Sequence, residues 1–204
     1  MNEEILIQAA QEGDLDAFNQ LILRYQNLLF SIALRILGDE DTAADALQEA
    51  LLSSFRKIHM FRGGSLRSWM ARIVINACYD ELRRQRRQPT LQLEQVDAEG
   101  DVIEPDYWMM DGAASLEDQY ESTELERAIQ TCLNVLPPDY RTVFVLVDVE
   151  CMSYEEAAEA VHVPVGTVKS RLSRARMQMR KALQSFGELL PMAYRMGNSL
   201  AVQA

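Results

Sequence analysis

Residues 153–176 read "SYEEAAEAVHVPVGTVKSRLSRAR" and have the pattern of two short helices joined by a tight turn. Ser153 and Glu156, three residues apart, form a capping box, which predicts that a helix starts there. The residues "HVPVG" then turn the chain, and a second helix is predicted from about Thr167. Two short helices joined in this way make a helix-turn-helix, which is typical of proteins that bind the major groove of DNA.

The second helix has two chemically different faces. One stripe is apolar and comprises Val168, Leu172, Ala175 and Met179. The opposite face is basic and hydroxylated and comprises Lys169, Ser170, Ser173, Arg174 and Lys181, with Arg171 and Arg176 at its flanks. Residues 166–183 contain six basic and no acidic side chains, whereas an ordinary solvated surface helix mixes both signs. The pattern therefore favours a DNA-reading helix, although Met177 on its outward face has no assignment.

Outside this helix, the charge of the chain is unevenly distributed. The formal net charge is −11, yet residues 55–90 carry nine basic and two acidic side chains. Residues 91–126 carry twelve acidic and no basic side chains. Because salt screens charges beyond about 8–10 Å, local charge governs contact. We therefore expect two separate cationic helices to attract nucleic acid despite the acidic chain.

Helical periodicity continues through most of the remaining sequence. Apolar residues recur at helical spacing over residues 14–37, with Gly38 as a stop, and Asp residues open the next helix at 39–58. After the break "FRGG", Ser65 is predicted to cap a helix that ends before Pro89. The β-branched run "RTVFVLVDVE" suggests a strand by propensity, but we interpret it as a short buried helix because its neighbours are helical.

Residues 88–122 lose this periodicity and are acidic, with Gly, Pro and Ser, so we interpret them as a linker. A helix is expected to resume near Thr123. The predicted fold is all-α: two small helical domains, joined by an acidic linker. The predicted boundaries are a first domain at 1–88, the linker at 89–122, a helix-turn-helix domain at 123–186 and a C-terminal tail at 187–204.

Composition argues against several classes of protein. No apolar run approaches the roughly 18 residues that a membrane span needs, and the acidic N-terminus does not resemble a signal peptide. The three cysteines have no C-x-x-C spacing, so we expect buried free thiols in a reducing cytoplasm. Two distant histidines predict no metal site. No paired carboxylates, phosphate loop or Cys–His set indicates a helical enzyme, so no catalytic residue, cofactor or small-molecule substrate is expected.

The helix after Ser65 carries aromatic and basic side chains that could stack on and hold unpaired bases. Trp69, Ile73 and Tyr79 fit a buried core equally well. The basic run "RRQRR" at 83–87 is either a contact to a nucleic-acid backbone or a solvated helix end.

Two long stretches together resemble bacterial RNA polymerase sigma factors. Residues 16–87, with "DALQEALL" and "FRGGSLRSWMARIVINACYDELRR", resemble their region two. Residues from "LPPDY" to "RKAL", with "PVGTVKSRLSRAR", resemble their region four. The order and the acidic linker are similar to those of the extracytoplasmic-function group. The resemblance implies a factor that binds core RNA polymerase, directs it to specific promoters and helps to open the minus-ten region.

The resemblance also implies roles for individual residues. Contact with core polymerase would fall to Asp45, Gln48 and Glu49. Recognition of the minus-ten element would fall to Phe61, Ser65, Asn76, Arg83, Arg84, Arg86 and Arg87. Recognition of the minus-thirty-five element would fall to Thr167, Lys169, Ser170, Arg171, Ser173, Arg174 and Arg176. Relatives often carry Arg in place of Lys169 and an aromatic in place of Ser173, so their promoter sequence is not transferred to this chain.

Partners follow from the same resemblance: core RNA polymerase, promoter DNA and an anti-sigma factor, with no membrane insertion by this chain. The acidic linker would thread the basic channels of the polymerase as a mimic of nucleic-acid charge, or it is a solvated spacer. The alternative function is an operator-binding helix-turn-helix regulator that acts without polymerase. That alternative predicts a self-dimer, and it does not account for the second basic helix or for "DALQEALL".

Overall fold

The structure is a computed structural model that describes residues 2–87 and 116–186, with side chains in the fifth helix from Glu124 onward. The N-terminal half contains four helices: α1 (Glu3–Gln11), α2 (Leu15–Leu37), α3 (Glu40–Lys57) and α4 (Leu66–Arg87). The C-terminal half contains four more: α5 (Leu116–Val135), α6 (Pro138–Phe144), α7 (Tyr154–Val161) and α8 (Val165–Leu183). The described residues contain no strand, which confirms the all-α fold class.

The helix ends follow the predicted capping residues. Gly38 ends α2 in the left-handed conformation with φ +80°, which a residue with a Cβ rarely adopts. Asp39 accepts a hydrogen bond from the Thr42 amide at the start of α3. The Ser65 hydroxyl oxygen accepts one from the Ser68 amide at the start of α4. These caps satisfy backbone groups that a helix end otherwise leaves without a partner.

Other elements differ from the prediction. Helix α1 was not predicted, and it is held in place by buried Leu6 and Ala10. Helix α5 begins at Leu116, before the expected start near Thr123. The run at 141–150 agrees with the prediction of a short buried helix rather than a strand: it lies in α6 and in a π-helical turn at Val145–Val149. Most of the predicted linker at 89–122, and the tail at 187–204, lie outside the described residues.

Each half has its own buried side chains. In the N-terminal half, α1, α3 and α4 pack around α2, and the fully buried side chains include Leu21, Leu29, Ile32, Met70 and Ile75. In the C-terminal half, α8 packs on α6 and α7 through its predicted apolar stripe, and all four stripe residues are buried. Burial of apolar surface is the main stabilising contribution in each half.

The two halves also pack against each other. The sequence predicts separately folded units, whereas in the structure buried residues of both halves belong to one continuous cluster. Helix α4 packs on α7, and the end of α2 packs on α5 and α6. Buried Arg141 in α6 donates hydrogen bonds to the Ile36 carbonyl of α2 at 2.5 Å and to the Asn134 carbonyl at 2.8 Å. The predicted domain boundaries remain predictions, but the described halves form a single packed body.

Candidate nucleic-acid interface

The tight turn between α7 and α8 is built as the sequence predicts. The Ser153 side chain accepts a hydrogen bond from the Glu156 amide at 3.1 Å, and the Glu156 carboxylate accepts one from the Ser153 amide at 3.0 Å. His162 ends α7 with φ +56°, and Pro164 precedes α8 in an extended conformation. The turn therefore places α8 directly after α7, two residues before the predicted start near Thr167.

The outward face of α8 is open to solvent. Its exposed residues are Lys169, Ser170, Ser173, Arg174, Arg176 and Lys181, and Met177 is 66% exposed among them. Thr167 and Arg171 are half-buried at its edge. Because the apolar stripe faces its own half, the cations are left facing outward, as the sequence predicts. The exposed face combines guanidinium, ammonium and hydroxyl groups, which suit phosphate and base-edge contacts.

Neighbouring elements hold several of these cations in position. Arg171 forms an ion pair with Asp139 at 2.7 Å, and Arg176 donates two hydrogen bonds to Asp148 at 2.9 and 2.6 Å. The hydrogen bond with Asp148 raises the pKa of Arg176. These contacts orient the two guanidinium groups along both edges of α8.

Two further contacts use aromatic residues. Arg174 donates a hydrogen bond to the Tyr140 hydroxyl at 3.1 Å, which raises the pKa of Arg174, and Lys169 Nζ lies 5.4 Å from the centre of the Tyr154 ring. Sequence reasoning missed Asp139, Tyr140 and Asp148. They precede the helix-turn-helix in the sequence, and only the fold brings them to α8.

The predicted minus-ten residues lie at the start and along one side of α4. Phe61 is 7% exposed and packs edge-on against Trp69, with ring centres 5.7 Å apart. Ser65 is half-buried, and its hydroxyl lies 3.4 Å from Glu156 of the C-terminal half. Asn76 is exposed, in a cleft that is also lined by Arg72, Tyr79 and Arg171. The structure therefore brings Asn76 near the C-terminal half rather than leaving it on an open surface.

The basic end of α4 projects beyond this contact, and its four arginines are exposed. Arg83 is paired with Asp80, and Arg84 with Glu81 at 2.6 Å, each within one turn of the same helix. Within the residues that the structure describes, neither Arg86 nor Arg87 forms an ion pair.

Helix α3 carries the predicted polymerase-binding residues on one face. Asp45, Gln48 and Glu49 are all exposed and lie at spacings of three and four residues. Next to Gln48, an apolar groove runs between α2 and α3, and at its rim Leu15 and Leu52 are 53% and 54% exposed. Sequence reasoning missed this groove. Large apolar side chains left open beside polar ones mark surfaces that contact other proteins.

Two further findings concern metal sites and membrane-spanning helices. In residues 2–87 and 116–186, no cluster of His, Cys, Asp or Glu has the composition of a metal site. In that same part of the chain, no helix combines the length and the apolar character needed to cross a bilayer.

Comparison with known proteins gives consistent results over most of the chain. The family model described as Sigma-70 region 2 matches residues 21–88, and that described as Sigma-70, region 4 matches residues 126–179. The chain is 36% identical over 184 residues to the RNA polymerase sigma-H factor of Pseudomonas aeruginosa, which covers 89% of this chain and 94% of that protein. It is 32% identical over 189 residues to the ECF RNA polymerase sigma-E factor of Escherichia coli strain K12, with coverages of 90% and 95%.

Solved structures agree with this result. The sigma factor RpoE of Bartonella quintana, in complex with the anti-sigma factor NepR, has a TM-score of 0.62 and 27% identity, covering 83% of this chain and 98% of that chain. CnrH, in complex with the cytosolic domain of CnrY, has a TM-score of 0.64 at 24% identity, covering 90% and 97%, and supports the fold. From both family models and from relatives matched over nearly their whole length, the chain belongs to the sigma-70 family, as an RNA polymerase sigma factor of the extracytoplasmic-function (ECF) group.

Proposed function

We propose that this protein binds core RNA polymerase, directs it to specific promoters and helps to open their minus-ten region. The observation that carries the proposal is the outward face of α8, which is basic, hydroxylated and exposed, while its apolar stripe is buried. A helix mounted in this way can enter a major groove without exposing its own core. Membership of the sigma-70 family supports the polymerase-dependent form of this activity.

In the C-terminal half, α8 is the reader of the minus-thirty-five element. Lys169, Ser170, Ser173 and Arg174 are proposed to contact base edges, because they occupy the exposed face. The flanking residues Thr167, Arg171 and Arg176 are proposed to contact the phosphates of the DNA. The carboxylates Asp139 and Asp148 hold the two flanking guanidinium groups at the edges of the helix, where phosphates would lie.

In the N-terminal half, the loop before α4 and the helix itself are proposed to hold an unpaired base of the minus-ten element. Phe61, which packs on Trp69, would form the apolar side of the base-binding site. Ser65 and Asn76 offer hydrogen-bonding groups beside it. Holding a base outside the stack lowers the free energy of the separated strands relative to the duplex. Arg83, Arg84, Arg86 and Arg87 would hold the adjoining backbone.

Core polymerase is proposed to dock on α3. Asp45, Gln48 and Glu49 present an acidic and polar face, and the apolar groove beside Gln48 adds surface that association would bury. An anti-sigma factor is a second proposed partner, since the RpoE structure of Bartonella quintana contains one. Such a partner would keep the factor from polymerase until a signal releases it.

The factor is proposed to act in the cytoplasm, where polymerase and promoter DNA are found, and to perform no bond chemistry itself. Its contribution is binding alone: it selects the promoter and stabilises the opened strands. No cofactor or small-molecule substrate enters this scheme.

The decisive experiment is reconstitution. Purified protein is mixed with core polymerase and promoter-containing templates, and specific initiation is measured with and without the protein. The proposal expects specific transcripts only when both are present, and co-purification of the protein with core polymerase. An operator-binding regulator would instead bind one DNA site tightly as a dimer without polymerase, and would not co-purify with core.

A further inference from the structure

Met177 is an apolar side chain in the middle of the basic face of α8, and the sequence alone assigns it no role. Its side chain is 66% exposed. On a helix, the surface neighbours of a residue lie three and four positions away. Those neighbours of Met177 are all exposed and polar: Ser173, Arg174, Arg180 and Lys181. The apolar thioether therefore lies on the surface proposed to face DNA, among one hydroxyl group and three cations.

A cavity of about 370 Å³ opens beside Met177, between α8 and the first residue of α7. Its apolar lining comes from Met177, the Tyr154 ring and Leu172, which is 2% exposed. Ser173 also lines the cavity, and its small side chain leaves space where relatives often carry an aromatic residue. At the edge, Lys169 Nζ lies 5.4 Å from the centre of the Tyr154 ring. The basic face thus contains an apolar recess.

The charge around this cavity indicates which class of partner fits it. The residues that line it in the described part of the chain include the cations Lys169, Arg176 and Arg180 and no carboxylate. A partner that covers the cavity must therefore supply negative charge around an apolar group. The major groove of DNA does so, because phosphates border the groove and thymine methyl groups lie inside it. The surroundings of Met177 therefore favour DNA over another protein.

Within the major groove, the apolar group that a base pair presents is the methyl group of thymine, and the other groups are hydrogen-bond donors and acceptors. A methionine side chain packed on a donor or acceptor displaces its water and leaves it without a partner, which costs free energy. Packed on a methyl group, the same side chain buries apolar surface on both molecules. An apolar side chain among base-reading residues therefore selects for thymine and against the other bases at one position.

We propose that Met177, together with the adjoining cavity formed by Tyr154 and Ser173, recognises the methyl group of one thymine in the upstream promoter element. This inference rests on the proposed function, because it requires that α8 reads that element. Met177 lies one helical turn after Ser173 and Arg174, so the thymine lies next to the base pairs that those residues contact. The flexible thioether chain adapts to the position of the methyl group. Met177 is thus a specificity-determining residue for the choice of promoter.

The test removes the methyl group from the DNA and the thioether from the protein, separately and together. The protein is assembled with core polymerase, and the upstream element that the assembly prefers is selected from DNA randomised in that segment. Each thymine of the selected element is then replaced in turn by deoxyuridine, which keeps the base pair and lacks only the methyl group. The affinity for the thymine template is divided by that for the deoxyuridine template, and this methyl ratio is compared between protein variants.

Two variants and one matched control determine the outcome. At one thymine, the unmodified protein should show a methyl ratio of about four, the effect of burying one methyl group. Met177→Ala should bind both templates equally there, because too little side chain remains to bury the methyl group. Met177→Leu keeps an apolar side chain of similar size and should retain most of the ratio. Arg180→Ala is the control: Arg180 adjoins the same cavity but offers charge, so its loss should leave the ratio unchanged.

Three results overturn the proposal. One is a methyl ratio that is the same in Met177→Ala and in the unmodified protein at every thymine. Another is a Met177→Ala variant that loses affinity equally on all templates, which would indicate a contact to the DNA backbone. The third is a variant that no longer co-purifies with core polymerase, which would indicate a contact to protein. An assembly that selects no upstream element at all would count against the proposed function itself, and with it against this inference.

Discussion

Helices α8 and α4 each carry a cluster of cations, but the surroundings of the two clusters differ. On α8, Lys169 and Arg174 face solvent, and their contacts are to aromatic residues of the same half. On α4, Arg67 and Arg72 donate to carbonyl oxygens of the other half. One cationic surface is therefore available in the free chain, and the other is partly covered.

The difference follows from how each helix is buried. Helix α8 places a single apolar stripe against its own half, so the opposite side stays open. Helix α4 packs on α2 and α3 along one side and on α7 along another. Positive charge on a helix thus indicates what the helix can bind, while packing determines whether that surface is accessible.

The largest effect is expected at Arg141, which joins the two halves. Arg141→Ala leaves the carbonyls of Ile36, Asn134 and Leu136 without their donor in a buried setting. We expect a loss of about 3 kcal/mol in the free energy of unfolding, measured by urea denaturation. Arg176→Ala is the matched control, because its ion pair with Asp148 is largely exposed and should contribute at most about 1 kcal/mol. Equal losses in the two variants would contradict a structural role for Arg141.

The next largest effect is expected at the open surface. Arg174→Ala should reduce initiation about tenfold at promoters that keep the upstream element, because a lost base contact costs about 1–3 kcal/mol. On templates whose upstream element is scrambled, variant and unmodified protein should initiate equally. Arg180→Ala, exposed on the same helix but outside the predicted base-reading set, should not change which upstream sequence is preferred. A uniform loss on both templates with Arg174→Ala would instead indicate a phosphate contact.

Much of the fold could be predicted from sequence because capping and turn residues act locally. Gly38, Ser65 and the Ser153–Glu156 pair each fix a helix end through contacts within four residues, and all lie where predicted. The helical spacing of apolar residues also predicted which face of α8 is buried and which is exposed. The roles in promoter recognition that the sequence predicts for the exposed residues of α8 remain proposals, which the experiments above test.

The elements that sequence reasoning missed depend on distant contacts. Helix α1 is short, and its support comes from contacts such as the 2.6 Å hydrogen bond from the Tyr25 hydroxyl to Glu3. The interface between the halves uses the carbonyls of Glu150, Glu159 and Ile36. Every residue has a carbonyl, so no side-chain pattern marks those acceptors in the sequence. The packing of the two halves against each other could therefore be found only from the structure.

A smaller effect should distinguish Arg83 and Arg84, which form ion pairs within α4, from Arg86 and Arg87, which form none among the described residues. Arg86→Ala/Arg87→Ala should weaken promoter opening by the assembled polymerase with little sequence preference. The slope of log affinity against log salt should become shallower by about 1.4, which corresponds to two single-strand phosphate contacts. Arg83→Ala/Arg84→Ala should change the slope less, since Asp80 and Glu81 already partly neutralise those charges. An unchanged slope in the first variant would identify the basic end as a solvated helix terminus.

The smallest effect is expected in thiol labelling, which distinguishes loss of the contacts between the halves from unfolding of the N-terminal half. Burial raises the pKa of the Cys78 thiol to about 12, so very little of the reactive thiolate is present at pH 8. Cys78 lies about 120° around α4 from Arg72 and is buried. At pH 8 we expect iodoacetamide to modify exposed Cys151 quickly and Cys78 only in unfolding concentrations of urea, as read by mass spectrometry. Protection of Cys78 should persist in Arg67→Ala/Arg72→Ala, because separating the halves leaves the N-terminal core intact. Rapid modification of Cys78 in that variant would mean that the two arginines stabilise the N-terminal half itself.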